Sequence, residues 1–505
     1  ALVAVGLWAL AARALPAYVP GPVAVVRALA ADWPVVWTNG RATLEGAAKG
    51  WLWGNACALA LAALGALLPR LEGPILRVAA VVYCLPVMAI GPVLQSLLPG
   101  NGASVAIAAL SVFFTTLLAT ALGLRSAPPA ALDVVRAAGG SRLAETARVR
   151  LRSALPSMFA GLRVAAPAAM LGAILGEYLG ASVGLGNAII TAQQQLDLPL
   201  TWALALFATA VSAAGYLLTG VAGRLVAPWA GEVTDILPAA PAHAGLSPPA
   251  RAARAALAVA GSVLAVIALW WGSIRVFGLS TLVAKTPADV WRHMFSGEDA
   301  GEHRDELLSA LGTTMWESLV GFAAGTAVAM LLVALLALWP AATAAMMPAT
   351  ILLQSVPLTV FTPLMLTMFG DGLTATVVIA GIIVFFPTLV TVLEAVRATP
   401  TAMIDVLRAA GGGRLSVLLR AQLPHALPAL LSAARICVPR ALIGALVAEW
   451  LATGRGIGYL MLRATATYQY DQLWSAVVLT TAVMIAANGL VGVLESWSLR
   501  RSRLG

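Results

Sequence analysis

Apolar side chains lie along this chain in long runs separated by short polar stretches. Six runs fall near residues 1–17, 52–69, 75–98, 103–124, 157–180 and 201–226, and six more near 255–278, 318–339, 343–369, 373–393, 429–452 and 474–495. Each is the size of a membrane span, because a hydrocarbon core about 30 Å thick takes roughly 20 helical residues and every backbone amide inside it must be bonded within its own segment. The pattern predicts an all-α polytopic membrane protein of twelve spanning helices. Between the two sets, GEVTDILPAAPAHAGLSPPARAAR (231–254) carries prolines and polar residues that cannot continue a buried helix, so it reads as a linker between a half at 1–230 and a half at 255–505.

The two halves repeat one another. DVVRAAGGSRL (133–143) recurs as DVLRAAGGGRL (405–415), an offset of 272 residues (405 − 133), and the same offset carries Pro156 to Pro428, Glu177 to Glu449, Gly184 to Gly456, Gly186 to Gly458 and Trp202 to Trp474. Upstream the register slips by one, with Pro86 and Pro92 matching Pro357 and Pro363 at 271. A fixed offset held through loops and helices alike marks an internal duplication, with the halves as parallel six-helix repeats.

Composition agrees with the hydropathy pattern. Of 505 residues 60% are hydrophobic and only 10% charged, against about 25% charged in soluble domains, and the mean hydropathy is +0.90. The net charge of +9 does not point to nucleic acid, because the arginines lie in short stretches between apolar runs rather than on one polar face. Arg125, Arg136, Arg142, Arg148, Arg150 and Arg152 follow the fourth run, Arg397, Arg408, Arg414 and Arg420 follow the tenth, Arg251 and Arg254 end the linker, and Arg500, Arg501 and Arg503 close the chain. The stretch between the seventh and eighth runs instead carries Asp289, Glu298, Asp299, Glu302, Asp305 and Glu306 against Lys285, Arg292 and Arg304. The positive-inside rule then puts the repeated loops and both termini in the cytoplasm. The chain begins at Ala1 rather than Met, so residues are expected to precede it, and its opening run reads as the tail of a first spanning helix rather than a cleavable signal. Cys57, Cys84 and Cys437 show no paired spacing and are expected as packed free thiols, and the four histidines make no metal spacing.

The repeated loops, about 130–156 and 402–428, carry the strongest functional signal. Each is helix-prone and amphipathic, has a double glycine (Gly139-Gly140, Gly411-Gly412) that permits a sharp turn, and is expected to close on Leu155-Pro156 or Leu427-Pro428 before the next span. A short helix projecting from the membrane is a lever through which a separate motor can push. The spacing resembles the EAA loop of ABC importer permeases, in which Glu-Ala-Ala is followed after three residues by glycine and later by Leu-Pro. Asp133-Val134-Val135 and Asp405-Val406-Leu407 take the place of Glu-Ala-Ala, Gly139 and Gly411 that of the glycine, and Leu423-Pro424 keeps the downstream pair, whereas the first repeat reads Leu151-Arg152. That departure predicts two inequivalent loops.

ALIGALVAEWLATGRGIGYLM (441–461) and its partner MLGAILGEYLGASVGLGNAII (170–190) further resemble the fifth helix and following loop of nitrate/taurine/sulfonate-type permeases. The resemblance implies two such permeases of the type I ABC importer fold fused in one chain of a bacterial inner membrane. It implies ATPase coupling through Asp133, Arg136, Gly139, Arg142, Leu155 and Pro156, and through Asp405, Arg408, Gly411, Arg414, Leu423, Pro424 and Pro428. The two carboxylates could alternatively be helix caps.

Ionisable groups near the bilayer are costly and usually functional or paired. Glu177 and Glu449 each follow their loop proline by 21 residues (177 − 156, 449 − 428), a rise of about 31 Å. They are therefore expected near the outer end, as gate or docking groups, as a solvated helix end, or as structural bonds to the glycine loop. Arg440, with Ala168 as its counterpart, falls nearer the middle, where it could attract an anionic solute or pair with a carboxylate such as Glu317. Asn55, Gln95 and Gln354 are expected to bond between helices. Gly454-Arg455-Gly456-Ile457-Gly458 lacks the strand a nucleotide loop needs, and no G-x-x-x-x-G-K-S/T stretch exists.

The expected function is a permease without an ATPase site of its own. It would move a small anion or heteroaromatic solute delivered by an extracytoplasmic binding protein, as one copy per complex with two ATPase subunits that carry the ATP and Mg, with no cofactor or metal on this chain. The alternative, a twelve-helix secondary transporter coupled to ions, leaves the matched loops without a purpose. A membrane-embedded enzyme would need clustered catalytic groups.

Overall fold

The computed structural model describes residues 2–16, 18–98, 100–229, 248–276, 278–339, 365, 368–370 and 372–502, and its regular elements are all helical. In chain order they are α1 (Leu2–Ala14), α2 (Pro22–Ala31), α3 (Trp33–Leu67), α4 (Pro69–Cys84), α5 (Val87–Leu97), α6 (Gly102–Arg125), α7 (Pro129–Ala137), α8 (Arg142–Tyr178), α9 (Leu185–Gln194) and α10 (Leu198–Val226). There follow α11 (Pro248–Val276), α12 (Pro287–Trp291), α13 (Ala300–Leu338), α14 (Leu373–Arg397), α15 (Thr401–Ala409), α16 (Arg414–Leu451), α17 (Gly456–Ala466) and α18 (Tyr470–Ser502). Among the described residues, eight of these (α3, α6, α8, α10, α13, α14, α16 and α18) are long and apolar enough to cross a membrane.

Several boundaries differ from the hydropathy pattern. The second span begins at Trp33 rather than near 52, because Val36, Gly40, Thr43, Ala47 and Gly50 form a buried face at helical spacing while polar residues such as Arg41, Glu45 and Lys49 occupy the rest of the surface. The eighth starts at Ala300 for the same reason, with Leu307, Leu311 and Thr314 buried. The third run breaks at Leu85-Pro86 into α4 and α5, as the residue before a proline avoids helical geometry. Residues 343–364 of the ninth run, Gln354 included, and residues 231–247 of the linker lie outside the described residues, and residues 248–254 are helical, with two prolines opening α11.

The chain divides into two compact units, one of residues 20–288 and the other of residues 1–19 with 289–505. In the first, α3, α6 and α8 pack around Ala58, Ala62, Ala79, Leu117, Leu124 and Ala154. Small residues set this spacing: a side chain at Gly54 would strike the Ala109 carbonyl at 2.5 Å, so the helix backbones approach as small-xxx-small pairs allow. Asn55 uses the closeness to accept a 2.5 Å hydrogen bond from Thr116, the interhelical role expected of it.

In the second unit α13, α14 and α16 pack around Ala329, Val333, Leu336, Leu389, Val392 and Ala426. Gly321 and Gly325, one helical turn apart, repeat Gly50 and Gly54 at an offset of 271 (321 − 50) and press on Ala380 and Gly381. The three cysteines are free, with Cys84 and Cys437 buried and Cys57 exposed rather than packed.

Candidate functional site

The two repeated loops fold as matched elbows. α7 and α15 are nine residues each, and both end in the same way: Gly140 donates to Val135 O and Gly412 to Leu407 O, each at 2.8 Å, across a glycine in the left-handed region (Gly139 φ +74°, Gly411 φ +80°). This is a Schellman stop, which needs a residue free to adopt positive φ. Open space surrounds the missing Cβ of both glycines, so backbone conformation rather than crowding demands them.

Asp133 and Asp405 sit inside their helices, whose N-cap residues are Pro128 and Pro400, so the alternative reading of them as caps is excluded. Asp133 instead accepts a 3.1 Å bond from Arg136 one turn on. Arg142 and Arg414 open the helices that follow, and Arg414 donates to Leu338 O at 3.4 Å.

Beyond the elbow the expected loop ending at Leu155-Pro156 is instead helix. α8 runs unbroken for 37 residues and α16 for 38. Leu155, Pro156 and Pro428 lie within them, and Leu423-Pro424 directly follows a π-helical turn at Leu418–Gln422 that matches one at Thr146–Arg150. A proline inside a helix removes one ladder bond and crowds the preceding turn, and the wider π turn takes up the change of register. A helix of 37 residues rises about 55 Å, well beyond a hydrocarbon core of about 30 Å. Each elbow is thus joined to a membrane span by one continuous helix.

The elbows differ in one respect that motif spacing did not expose. Glu145, 5% exposed, accepts from Arg136 Nε at 2.9 Å and lies 3.9 Å from Arg150. In the second repeat Val417 and Gln422 replace Glu145 and Arg150. The first elbow is therefore braced internally, while Arg408 has no equivalent of Glu145 opposite it.

At the far end of α8 the chain makes a second repeated structure. Glu177 is 3% exposed, and its Oε2 accepts from Thr43 Oγ1 (2.9 Å) and the Gly186 amide (2.8 Å). Thr43 in turn accepts from the Leu185 amide at 2.8 Å, and Asn39 from the Gly184 amide at 2.9 Å. Any side chain on Gly184 would collide with the Glu177 carboxyl group. The second repeat builds a similar clamp: Gly458 donates to Glu449 Oε2 (2.7 Å) and Ile457 to Thr314 Oγ1 (2.9 Å), while the Thr314 hydroxyl donates to Ala310 O at 3.2 Å.

Of the expected roles for these glutamates, the solvated helix end is overturned and the bond to the glycine loop is what the structure shows. The threonines were not anticipated, although Thr43 and Thr314 keep the 271-residue offset (314 − 43) and could have been found by extending the repeat upstream.

The second clamp carries an addition. Glu317, 2% exposed, pairs with Arg455 at 3.1 Å. Arg440 stands partly buried beside Cys437 on α16. Glu449 is held by the Gly458 amide.

Comparison with known proteins places this geometry in context. The profile described as "Binding-protein-dependent transport system inner membrane component" matches twice, over residues 54–231 and 330–503. A probable ABC transporter permease protein of Haemophilus influenzae is 28% identical over 224 residues, which cover 44% of this chain and 89% of that protein. A riboflavin transport system permease protein of Chloroflexus aurantiacus is 30% identical over 147 residues, 29% of this chain and 55% of the relative. A putative aliphatic sulfonates transport permease protein of Escherichia coli is 24% identical over 235 residues, 46% of this chain and 88% of its own length.

Proposed function

The chain belongs to the family of binding-protein-dependent transport system inner membrane components, and from that premise we propose that it forms the complete membrane path of an ATP-driven importer, both permease halves in one polypeptide. One copy then serves a complex with two ATPase subunits docked on α7 and α15. An extracytoplasmic binding protein presents the solute at the opposite face, and both termini lie in the cytoplasm. ATP and Mg belong to the partner subunits.

The observation that carries this reading is the continuity of each elbow with a clamp. α8 joins the α7 elbow to Glu177, and α16 joins the α15 elbow to Glu449, through single helices of 37 and 38 residues. A displacement applied at the elbow reaches the glycine loop through one continuous helix with a rise of about 50 Å. Arg136 and Arg408, with Asp133 and Asp405, are the polar contacts offered to the motor. Glu177, Glu449 and Arg440 are the groups assigned to the gate or path.

The solute is proposed to be a small anion or heteroaromatic molecule, the range spanned by relatives named for riboflavin and aliphatic sulfonates. The test is reconstitution: the chain is purified with its candidate ATPase, and the mass of the complex and the response of ATP hydrolysis to loaded binding protein are measured. A complex with one copy of this chain and two ATPase subunits, stimulated by loaded receptor, is expected. Two copies of this chain, or hydrolysis indifferent to deletion of both elbows, would overturn the reading.

A further inference from the structure

The duplication makes each half a control for the other, and one pair of equivalent arginines is treated differently. Arg163 on α8 and Arg435 on α16 are related by the 272-residue offset (435 − 163), and each lies seven residues past its proline (163 − 156, 435 − 428). Arg435 is neutralised within the chain: its Nη1 lies 3.3 Å from Glu495 Oε2, and Ser432 donates to Glu495 Oε1 at 2.5 Å. The first half has Gly223 where the second has Glu495, and Ala160 where it has Ser432.

Arg163 accordingly has a different setting. Its guanidinium lies 4.0 Å over the ring of Tyr216 and against Gly220, where an added side chain would meet its Nε at 3.0 Å. That Nε is buried and, among the described residues, has no hydrogen-bond partner. A charge set among apolar helices with no opposite charge is expensive, and such groups are found paired or facing a ligand.

The position in the span says what the ligand is. Tyr216 stands ten residues before the end of α10 at Val226, the end nearer the elbows, or about 15 Å. Helical side chains lean toward the helix N-terminus, which for α8 is the elbow end, so the long arginine stem carries its head toward the nearer headgroup layer. On the same helix Leu217 and Leu218 are exposed, and Arg224 is exposed in the last turn. A cationic notch beside exposed leucines matches a molecule with an anionic head and apolar chains.

We propose that Arg163, seated on Tyr216 and Gly220, binds the phosphate head of an anionic phospholipid in the leaflet that holds the elbows, and that this site exists in the first half alone because Glu495 occupies its equivalent in the second. The assignment rests on the membrane placement of α8 and α10 and not on the identity of the transported solute.

The test is lipid retention by the full chain in detergent, read by native mass spectrometry after delipidation, with phosphatidylglycerol, phosphatidylethanolamine or inorganic phosphate added back. Phosphatidylglycerol is expected to bind in preference, and Arg163→Gln to weaken it about fivefold, the effect of one cation at a lipid surface. Glu495→Gln, which frees Arg435, is expected to add a second bound phosphatidylglycerol, an outcome that does not depend on Arg163→Gln folding well. Unchanged retention in Arg163→Gln together with no gain in Glu495→Gln overturns the proposal. Occupancy by inorganic phosphate that displaces the lipid overturns the lipid as ligand and leaves a soluble-anion site. Neither ATPase nor binding protein is present, so failure of the importer reading would leave this result untouched.

Discussion

Glu317 and Arg455 close a 3.1 Å ion pair beside the buried carboxylate of Glu449, and neither has a counterpart in the first repeat, where Gly46 (317 − 271) and Val183 (455 − 272) stand. Glu317 Oε2 and Glu449 Oε1 are both buried and, among the described residues, without a hydrogen-bond partner. The second clamp therefore gathers two acids around one guanidinium, and Arg455 compensates a charge that the first clamp never acquires.

Removing Arg455 alone should destabilise more than removing the whole addition. Breaking a buried pair costs several kcal/mol because it strands the remaining charge, and the partial exposure of Arg455 reduces this to about 2 kcal/mol. Arg455→Val is expected to lower the thermal midpoint of the purified chain, and the double change Arg455→Val with Glu317→Gly, which recreates the first clamp, to recover most of the loss. Additive effects of the two changes would show that the pair is not coupled.

The clamp threonines should be needed in both halves. Thr43→Val removes a donor to Glu177 and an acceptor for the Leu185 amide, and Thr314→Val removes the acceptor for the Ile457 amide. Stranding such groups costs about 1–3 kcal/mol. Uptake in vesicles should fall for either variant while the ATPase still co-purifies, since the elbows are untouched. Loss of ATPase binding would contradict the separation of the two sites.

The elbows should respond unequally to equivalent changes. Arg136→Ala removes the 2.9 Å bond to buried Glu145 and leaves it only Arg150 at 3.9 Å, whereas Arg408→Ala removes no such brace. Amide hydrogen exchange is expected to rise across residues 133–150 in Arg136→Ala and to stay near wild type across 405–422 in Arg408→Ala. Equal rises would mean that Glu145 does not brace the elbow. At both Gly139 and Gly411, substitution by alanine should cost about 1 kcal/mol, because positive φ is strained for any residue with a Cβ.

The sequence made the duplication and the elbows legible because offsets, glycines and arginines survive in one dimension. Helix ends were harder: α3 starts at Trp33 because its buried face is built from Gly40, Thr43 and Gly50, residues that hydropathy scores as neutral. The role of Glu177 was visible only as one of several options, since the bond to Gly186 depends on the turn at Gly184. Glu145 and Thr43 were missed because their partners are set by folding rather than by a motif.

A last prediction concerns acidity at the end of α13 far from the elbows. There His293 stacks on His303 with ring centroids 4.1 Å apart, and the His293 Nε2 is buried without a hydrogen-bond partner among the described residues. Burial first, and then the facing His303, hold the His293 imidazole below its ordinary value of 6.5, while Asp471 and Glu306 pull weakly the other way. Glu306 is itself engaged by Arg463 and by Gln472, the latter at 2.6 Å. A depressed histidine means that the unfolded chain takes up a proton at a higher pH than the folded one, so stability is lost as pH falls below about 6.5. Between pH 7.5 and 5.5 the thermal midpoint of the wild type should drop further than that of His293→Phe, which keeps the stacked ring but cannot titrate. Parallel pH profiles would remove His293 as a source of acid sensitivity and would leave the ring pair as packing alone.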